Sequence, residues 1–349
     1  MKILSAASAF PKNLYPQERI TGALKHLWYD ELDNPAVLDR LHANCGVSQR
    51  HMVLELDEYP RVETFGQSNN LWIEAAQQLG SEAICKAARL AKIDLSSIAA
   101  FFFVSVTGIA SPSIDARLVN HLRLPLNIKR IPIFGLGCVA GAAGIARAAD
   151  YVRAFPDQIA LLLSVELCSL NWQRDDLSTA NLIAAGLFGD GAASVILAGK
   201  DAGFNGIEIL GTRSSFYPDT EDVMGWDISE NGFRLVLAPT VPDVIQKHLR
   251  QDVDVFLAEH GLSCRDISSW IIHTGGPKVL QAVESALKLP ANALEASWAS
   301  LRQVGNLSSA SVLLVLEEFL RNRRGEPGIY SLLAAMGPGF CSELVLLRW

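Results

Sequence analysis

The chain has no Cys-x-x-Cys pair, no histidine cluster at zinc-ligand spacing, no basic stripe, and no apolar run near the roughly 20 residues a membrane helix needs. Each absence removes a class of function. The six cysteines, at 45, 85, 138, 168, 264 and 341, frame neither a metal site nor a disulfide scaffold. They read as reduced thiols, so we expect no metal and a cytoplasmic setting. A formal net charge of −7 and a pI near 5.5 argue against a nucleic-acid partner. The basic segment 321–324 reads as the solvated end of a helix, where cations suit the dipole. The apolar stretches 98–106 and 159–165 have strand length, and no bilayer span is expected. The apolar part of the N-terminus is shorter than the roughly 7 to 15 residues of a secretory signal and reads as a first strand.

What is present centres on Ile131-Pro-Ile-Phe-Gly135-Leu-Gly137-Cys138, followed by the very small residues Val139-Ala-Gly-Ala-Ala-Gly144. This reads as a strand, a glycine-flanked turn and a helix with almost no side-chain girth, which belongs deep inside. The sulfur then sits at the first turn of a helix, where free N–H groups stabilise a thiolate. By itself Cys138 fits a small buried hydrophobe as well as a nucleophile.

Around this centre strands and helices alternate. Asn69 or Asn70 caps a long helix running to about Lys92, and a helix at 114–122 and a strand at 128–134 lead to Cys138. A strand at 158–165, a loop through 177 and a strand at 192–197 follow. Earlier, 17–41 is helical with a turn at Asp33-Asn-Pro35, and 45–56 is extended. Beyond Gly206 come strands at 207–213, 233–237 and 270–273, helices at 242–260 and 277–287, a helix opened by Gly305-Asn306 and two closing strands. The pattern implies a layered α/β fold with parallel strands, duplicated as halves 1–205 and 206–349.

His273 stands where an apolar strand meets Thr274-Gly-Gly-Pro277, and Asn306 lies between Gly305 and a helix start. Singly, His273 reads as structural and Asn306 as a helix N-cap. Together with Cys138 they form a functional set at glycine-marked junctions. Histidine can hold a thiolate, and histidine with asparagine can donate two hydrogen bonds to a developing oxyanion. That is thioester chemistry or proteolysis. The small residues after Cys138 do not suit a protease cleft.

Gly135-Leu-Gly-Cys138, Leu187-Phe-Gly-Asp-Gly-Ala-Ala193, Ile272-His-Thr-Gly-Gly-Pro277, Gly305-Asn-Leu-Ser-Ser309 and Met336-Gly-Pro-Gly-Phe340 resemble the type III polyketide synthases, the chalcone synthase-like family, over the whole chain. The first four are shared with ketoacyl synthase III. The Met336-Gly-Pro-Gly339 loop and the Asn-Leu-Ser-Ser run favour the polyketide synthases.

The resemblance implies a five-layered αβαβα thiolase fold, a homodimer, and acyl-CoA and malonyl-CoA as substrates with no cofactor. It makes Cys138 the acyl acceptor, and His273 and Asn306 the pair that stabilises the enolate left by malonyl decarboxylation. Phe188 matches the gatekeeper phenylalanine, and Leu235 stands for a second one. Val106, Cys168 and Asn171 replace threonines of the plant enzymes, Ser308 is retained, and Trp226 falls where a glycine is expected. Cys168 resembles the bacterial alkylpyrone and alkylresorcinol synthases, which points to a long-chain acyl starter. Arg40 and Lys278 are the basic residues placed for CoA. The competing readings are a malonyl-only tetrahydroxynaphthalene synthase, a ketoacyl synthase III, starter delivery by a carrier protein, and a non-catalytic homologue.

Overall fold

The computed structural model describes residues 1–28, 32, 34–322 and 327–349. Asp33 of the expected turn, and Arg323 and Arg324 of the basic helix end, lie outside them; Arg321 reaches Glu318 on its own helix at 3.4 Å.

One nine-stranded sheet runs through the molecule in the order Ile267–Ile272, Tyr330–Gly337, Cys341–Arg348, Ile207–Phe216, Lys2–Ala9, Asp190–Ala198, Ile159–Leu167, Ile98–Val104, Lys129–Ile133. It is mixed, which corrects the expected parallel sheet. Only the outer pairs are parallel, and every pairing from Tyr330–Gly337 inward to Ile159–Leu167 is antiparallel. The reason is connectivity. Only strands linked through a buried or covering helix return parallel, whereas the closing strands Tyr330–Gly337 and Cys341–Arg348 follow one another through a short turn. Outward from the centre, both sides repeat one pattern: two antiparallel pairings, then a parallel one.

Alternation along the strands divides the apolar side chains among three cores. Leu161 and Leu163 face the helices Phe65–Ala91 and Ile114–Leu122, and Leu162 faces the opposite way. Leu333, Val345 and Leu347 turn to the same central core as Leu162, while Leu332, Leu344 and Leu346 face Val241–Glu259 and Pro277–Leu287. The central core holds the helices Ala140–Ala154 and Ser311–Asn322, flanked on both sides by sheet. The result is five layers, as expected.

Local differences have identifiable causes. The long helix starts at Phe65, because Thr64 accepts from Gln67 N and the Gln67 side chain returns the bond, a capping box; Asn69 and Asn70 fall inside the helix. The stretch 45–56 contributes only the strand Gln49–Met52. Among the described residues, the helices Thr179–Leu187 and Glu295–Val304 and the strands Met224–Ser229 and Asn13–Pro16 escaped the sequence reading. The first has a legible start, since Ser178 Oγ accepts from Asn181 N at 3.3 Å ahead of an apolar run.

Candidate active site

Cys138 lies in a short 3-10 turn, Gly137–Val139, between the edge strand Lys129–Ile133 and the helix Ala140–Ala154. Glycine is required on both sides. A Cβ at Gly141 would lie 2.1 Å from Ser309 O, so the helix Ala140–Ala154 meets the 3-10 turn Ser308–Ala310, at the head of the other central helix, at backbone distance. That approach brings Ser308 Oγ to 3.6 Å from Cys138 Sγ. Gly137 has φ +53°, and a Cβ there would lie 2.7 Å from the Pro338 ring, which seats the Met336–Phe340 loop on the cysteine turn.

His273 follows the strand Ile267–Ile272. Its backbone N–H donates to Ala334 O at 3.0 Å, while the imidazole is 4% exposed and neither ring nitrogen has a protein partner. Two buried unpaired nitrogens are costly unless a ligand uses them.

Asn306 is held by its backbone. Its N–H donates to Leu187 O at 2.9 Å and its carbonyl accepts from Gly189 N at 3.0 Å, a bridge to Phe188. Its side chain is not an N-cap, since the helix begins at Ser311. Oδ1 instead accepts from Ser308 N at 2.8 Å and Ser311 Oγ at 3.3 Å. With the oxygen engaged, the two Nδ2 protons are the free valence of the amide.

These residues meet in one cavity of about 40 Å³, lined by Cys138, His273, Asn306, Phe188, Met336 and Phe340 among others. Behind Phe188 lies a second, of about 20 Å³, lined by Cys168, Asn171, Trp172, Asn181, Trp226 and Leu235. Phe188 lines both. Of the remaining expected residues, Ser308 touches the thiol, and Val106 is buried with its N–H donating to Glu166 at 3.1 Å. Lys278 is exposed, next in the chain to Val279, a lining residue; Arg40 is exposed on the helix Ala36–Ala43, and neither side chain is among those lining either cavity.

The electrostatics correct one expectation. Burial pushes the Cys138 thiol up to about 12, against the hydroxyl of Ser308 and with a contribution from buried Glu166, and burial takes His273 down to about 4. The site therefore holds a neutral thiol and a neutral imidazole. A helix terminus contributes about 0.3–1 kcal/mol at exposed positions, too little to offset full desolvation. Iodoacetamide alkylation of Cys138 is expected to climb about tenfold per pH unit between about pH 7 and 9 without levelling, because only the thiolate reacts. A plateau below about pH 8, followed by peptide mass, would identify a thiolate of ordinary low pKa instead.

Glu166 was not singled out from the sequence. It is fully buried on the strand Ile159–Leu167 and accepts from Ser309 Oγ, from Thr107 Oγ1 at 2.9 Å and from Ser105 Oγ at 3.3 Å; burial raises it to about 7. A lone carboxylate in an otherwise apolar strand was its visible signal.

Residues 1–201 match Chalcone and stilbene synthases, N-terminal domain, and residues 208–349 match Chalcone and stilbene synthases, C-terminal domain. The chain belongs to the chalcone and stilbene synthase family. It is a type III polyketide synthase, an acyltransferase-type condensing enzyme with the thiolase fold. Among relatives of this synthase, 1,3,6,8-tetrahydroxynaphthalene synthase of Streptomyces peucetius subsp. caesius is 47% identical, over 99% of this chain and 93% of its own. Phloroglucinol synthase of Pseudomonas fluorescens is 34% identical, over 97% and 98%. The crystal structure of 1,3,6,8-tetrahydroxynaphthalene synthase from Streptomyces coelicolor A3(2) superposes with a TM-score of 0.95 at 30% identity, covering 100% of this chain and 99% of that one.

Proposed function

We propose that this type III polyketide synthase builds an aromatic polyol from malonyl-CoA alone, in the manner of a tetrahydroxynaphthalene synthase. The observation that carries the reading is the cavity behind Phe188. At about 20 Å³ it has room for about one water, and two bulky indoles, Trp172 and Trp226, are among the residues that line it, which supports a site without a channel for an alkyl tail. The 47% identity to a tetrahydroxynaphthalene synthase supports the same reading.

In this scheme the Cys138 thiol passes its proton to His273 as Sγ attacks the thioester carbonyl, and the C–S bond to CoA breaks as His273 hands that proton to the departing CoA sulfur and returns to neutral. A malonyl thioester then enters with its carbonyl oxygen between the His273 N–H and Asn306 Nδ2. Loss of CO2 leaves an enolate that these two donors stabilise; its carbon attacks the acyl carbon, the C–S bond to Cys138 breaks, the lengthened chain stays on CoA, and the released sulfur takes up a proton. Neutral imidazole is the useful form for that second role, and burial supplies it. Exposure of Lys278 next to the lining residue Val279 supports it as the contact for the CoA phosphates, with Arg40 a weaker candidate.

The thiolase-like halves divide at 205/206 in this reading, and the repeated strand pattern supports the division. A homodimer is supported by the edge strand Lys129–Ile133, whose flanking loops leave Leu126 and Phe134 exposed. A cytoplasmic setting is supported by six free thiols.

The long-chain reading, with alkylpyrone or alkylresorcinol products, rests on Cys168, which does line the second cavity. Incubation with labelled malonyl-CoA, alone and with acyl-CoA starters of increasing length, decides between them. Product from malonyl-CoA alone upholds the proposal. Product only with long starters overturns it in favour of the alkyl class, and a carrier-protein requirement is read by supplying malonyl groups on both carriers. Trp226→Ala removes the indole from the cavity wall and is expected to raise kcat/KM for an octanoyl starter about tenfold over the unchanged protein. No gain would show that Trp226 does not limit chain length.

A further inference from the structure

Arg50, on the short strand Gln49–Met52, is a charged side chain with 0% exposure. Its guanidinium reaches the junction between the two cavities. Nη1 donates to Phe188 O at 2.5 Å and Nε donates to Gln17 Oε1 at 3.1 Å, while Gln17 Nε2 donates to Gly186 O at 2.7 Å. Arg50 and Gln17 thereby hold both ends of the 186–188 segment. On its other side the arginine stem packs on Gly305, the residue before Asn306, since a Cβ at Gly305 would lie 3.1 Å from Arg50 Cδ. Phe188 and Asn306 are themselves bridged by backbone.

The charge is poorly compensated. Among the described residues Arg50 forms no ion pair, and Nη2 has no protein partner. Burial lowers the guanidinium to about 10 despite nearby Cys45 and Asp190. An apolar side chain of similar volume often replaces such a buried charge at no loss of stability, so packing does not account for the guanidinium. Its distinctive contribution is direction, a rigid fork that fixes two acceptors at once, which the point charge of lysine does not supply.

We propose that Arg50 is a positioning residue of this synthase: through the Phe188 carbonyl and the Phe188–Asn306 bridge, it sets the Phe188 ring between the two cavities and aims the Asn306 amide into the first. The kinetic part rests on the function proposed above.

The test is a double-mutant cycle. Arg50→Met and Arg50→Lys are made alone and in an Asn306→Ala background, with malonyl-CoA decarboxylation, thermal melting and amide hydrogen exchange at Gly189 and Asn306 as readouts. Arg50→Met is expected to fold, to decarboxylate at least about tenfold more slowly, and to exchange faster at those two amides. Arg50→Lys should recover part of the rate. In the Asn306→Ala background the further loss should be under about twofold, because the effect passes through an amide already removed. A folded Arg50→Met with unchanged decarboxylation and unchanged exchange overturns the proposal, as does a loss that multiplies in full with that of Asn306→Ala. If Arg50→Met does not fold, Arg50→Lys carries the same cycle, and the same two results overturn the proposal. If the unaltered protein does not turn over malonyl-CoA, the functional reading falls, and exchange at Gly189 and Asn306 still decides the role of Arg50.

Discussion

Cys138→Ala is expected to abolish polyketide formation while leaving malonyl-CoA decarboxylation measurable, and His273→Ala and Asn306→Ala are each expected to slow decarboxylation by about 10²- to 10³-fold. The split follows from the geometry. In the proposed mechanism Sγ, which lines the first cavity, is the nucleophile and carries the acyl group, so without it no carbon–carbon bond has an acceptor. The enolate oxygen is served by other atoms. His273 offers an imidazole whose nitrogens are buried and unpaired, and Asn306 offers an amide whose oxygen is tied down by Ser308 and Ser311. Release of labelled CO2 and product mass, read in parallel, check this. Product from Cys138→Ala would remove the cysteine from covalent chemistry, and full decarboxylation by His273→Ala would remove the histidine from the oxyanion site.

Gly141→Ala is expected to destabilise the protein by about 3 kcal/mol or more, although alanine is the better helix former. The new Cβ would lie 2.1 Å from Ser309 O, and the obstacle is backbone, which does not rotate away. Yielding would separate the two central helices and carry Ser308, now 3.6 Å from Cys138 Sγ, away from the thiol. Gly22→Ala is the control. Gly22 lies inside the helix Gln17–Leu27 with nothing within 4 Å of the added Cβ, and the substitution is expected to stabilise by about 0.5–1 kcal/mol. Chemical denaturation of both variants checks the contrast; similar midpoints would mean that the helices are not in close contact.

Chemistry-bearing residues were legible in the sequence because their constraints are local. Cys138, His273 and Asn306 each stand at a glycine-marked end of a strand or helix, and such ends are where backbone geometry demands a particular residue type. The glycines themselves reported contacts made elsewhere: Gly141 against Ser309, Gly137 against Pro338, Gly305 against Leu187. The helix Thr179–Leu187 was missed because its small, apolar and amide side chains show little periodicity, and its polar members Thr179 and Asn181 resemble a loop. The starting point of the long helix was misplaced because two asparagines offered better caps than Thr64 on propensity alone, and the reciprocal bond from Gln67 decided otherwise.

The sequence by itself determined the layered α/β class and pointed to the three residues that meet in the first cavity, since hydrophobic period, glycine placement and side-chain chemistry are properties of short windows. Only the tertiary structure decided the antiparallel centre of the sheet, the protonation of the thiol and imidazole, the sharing of Phe188 by two cavities, and the reach of Arg50 to the turn that bears it. Those depend on which distant segments meet and how much water they exclude: desolvation and cross-chain hydrogen bonds arise from packing, and no local window contains them.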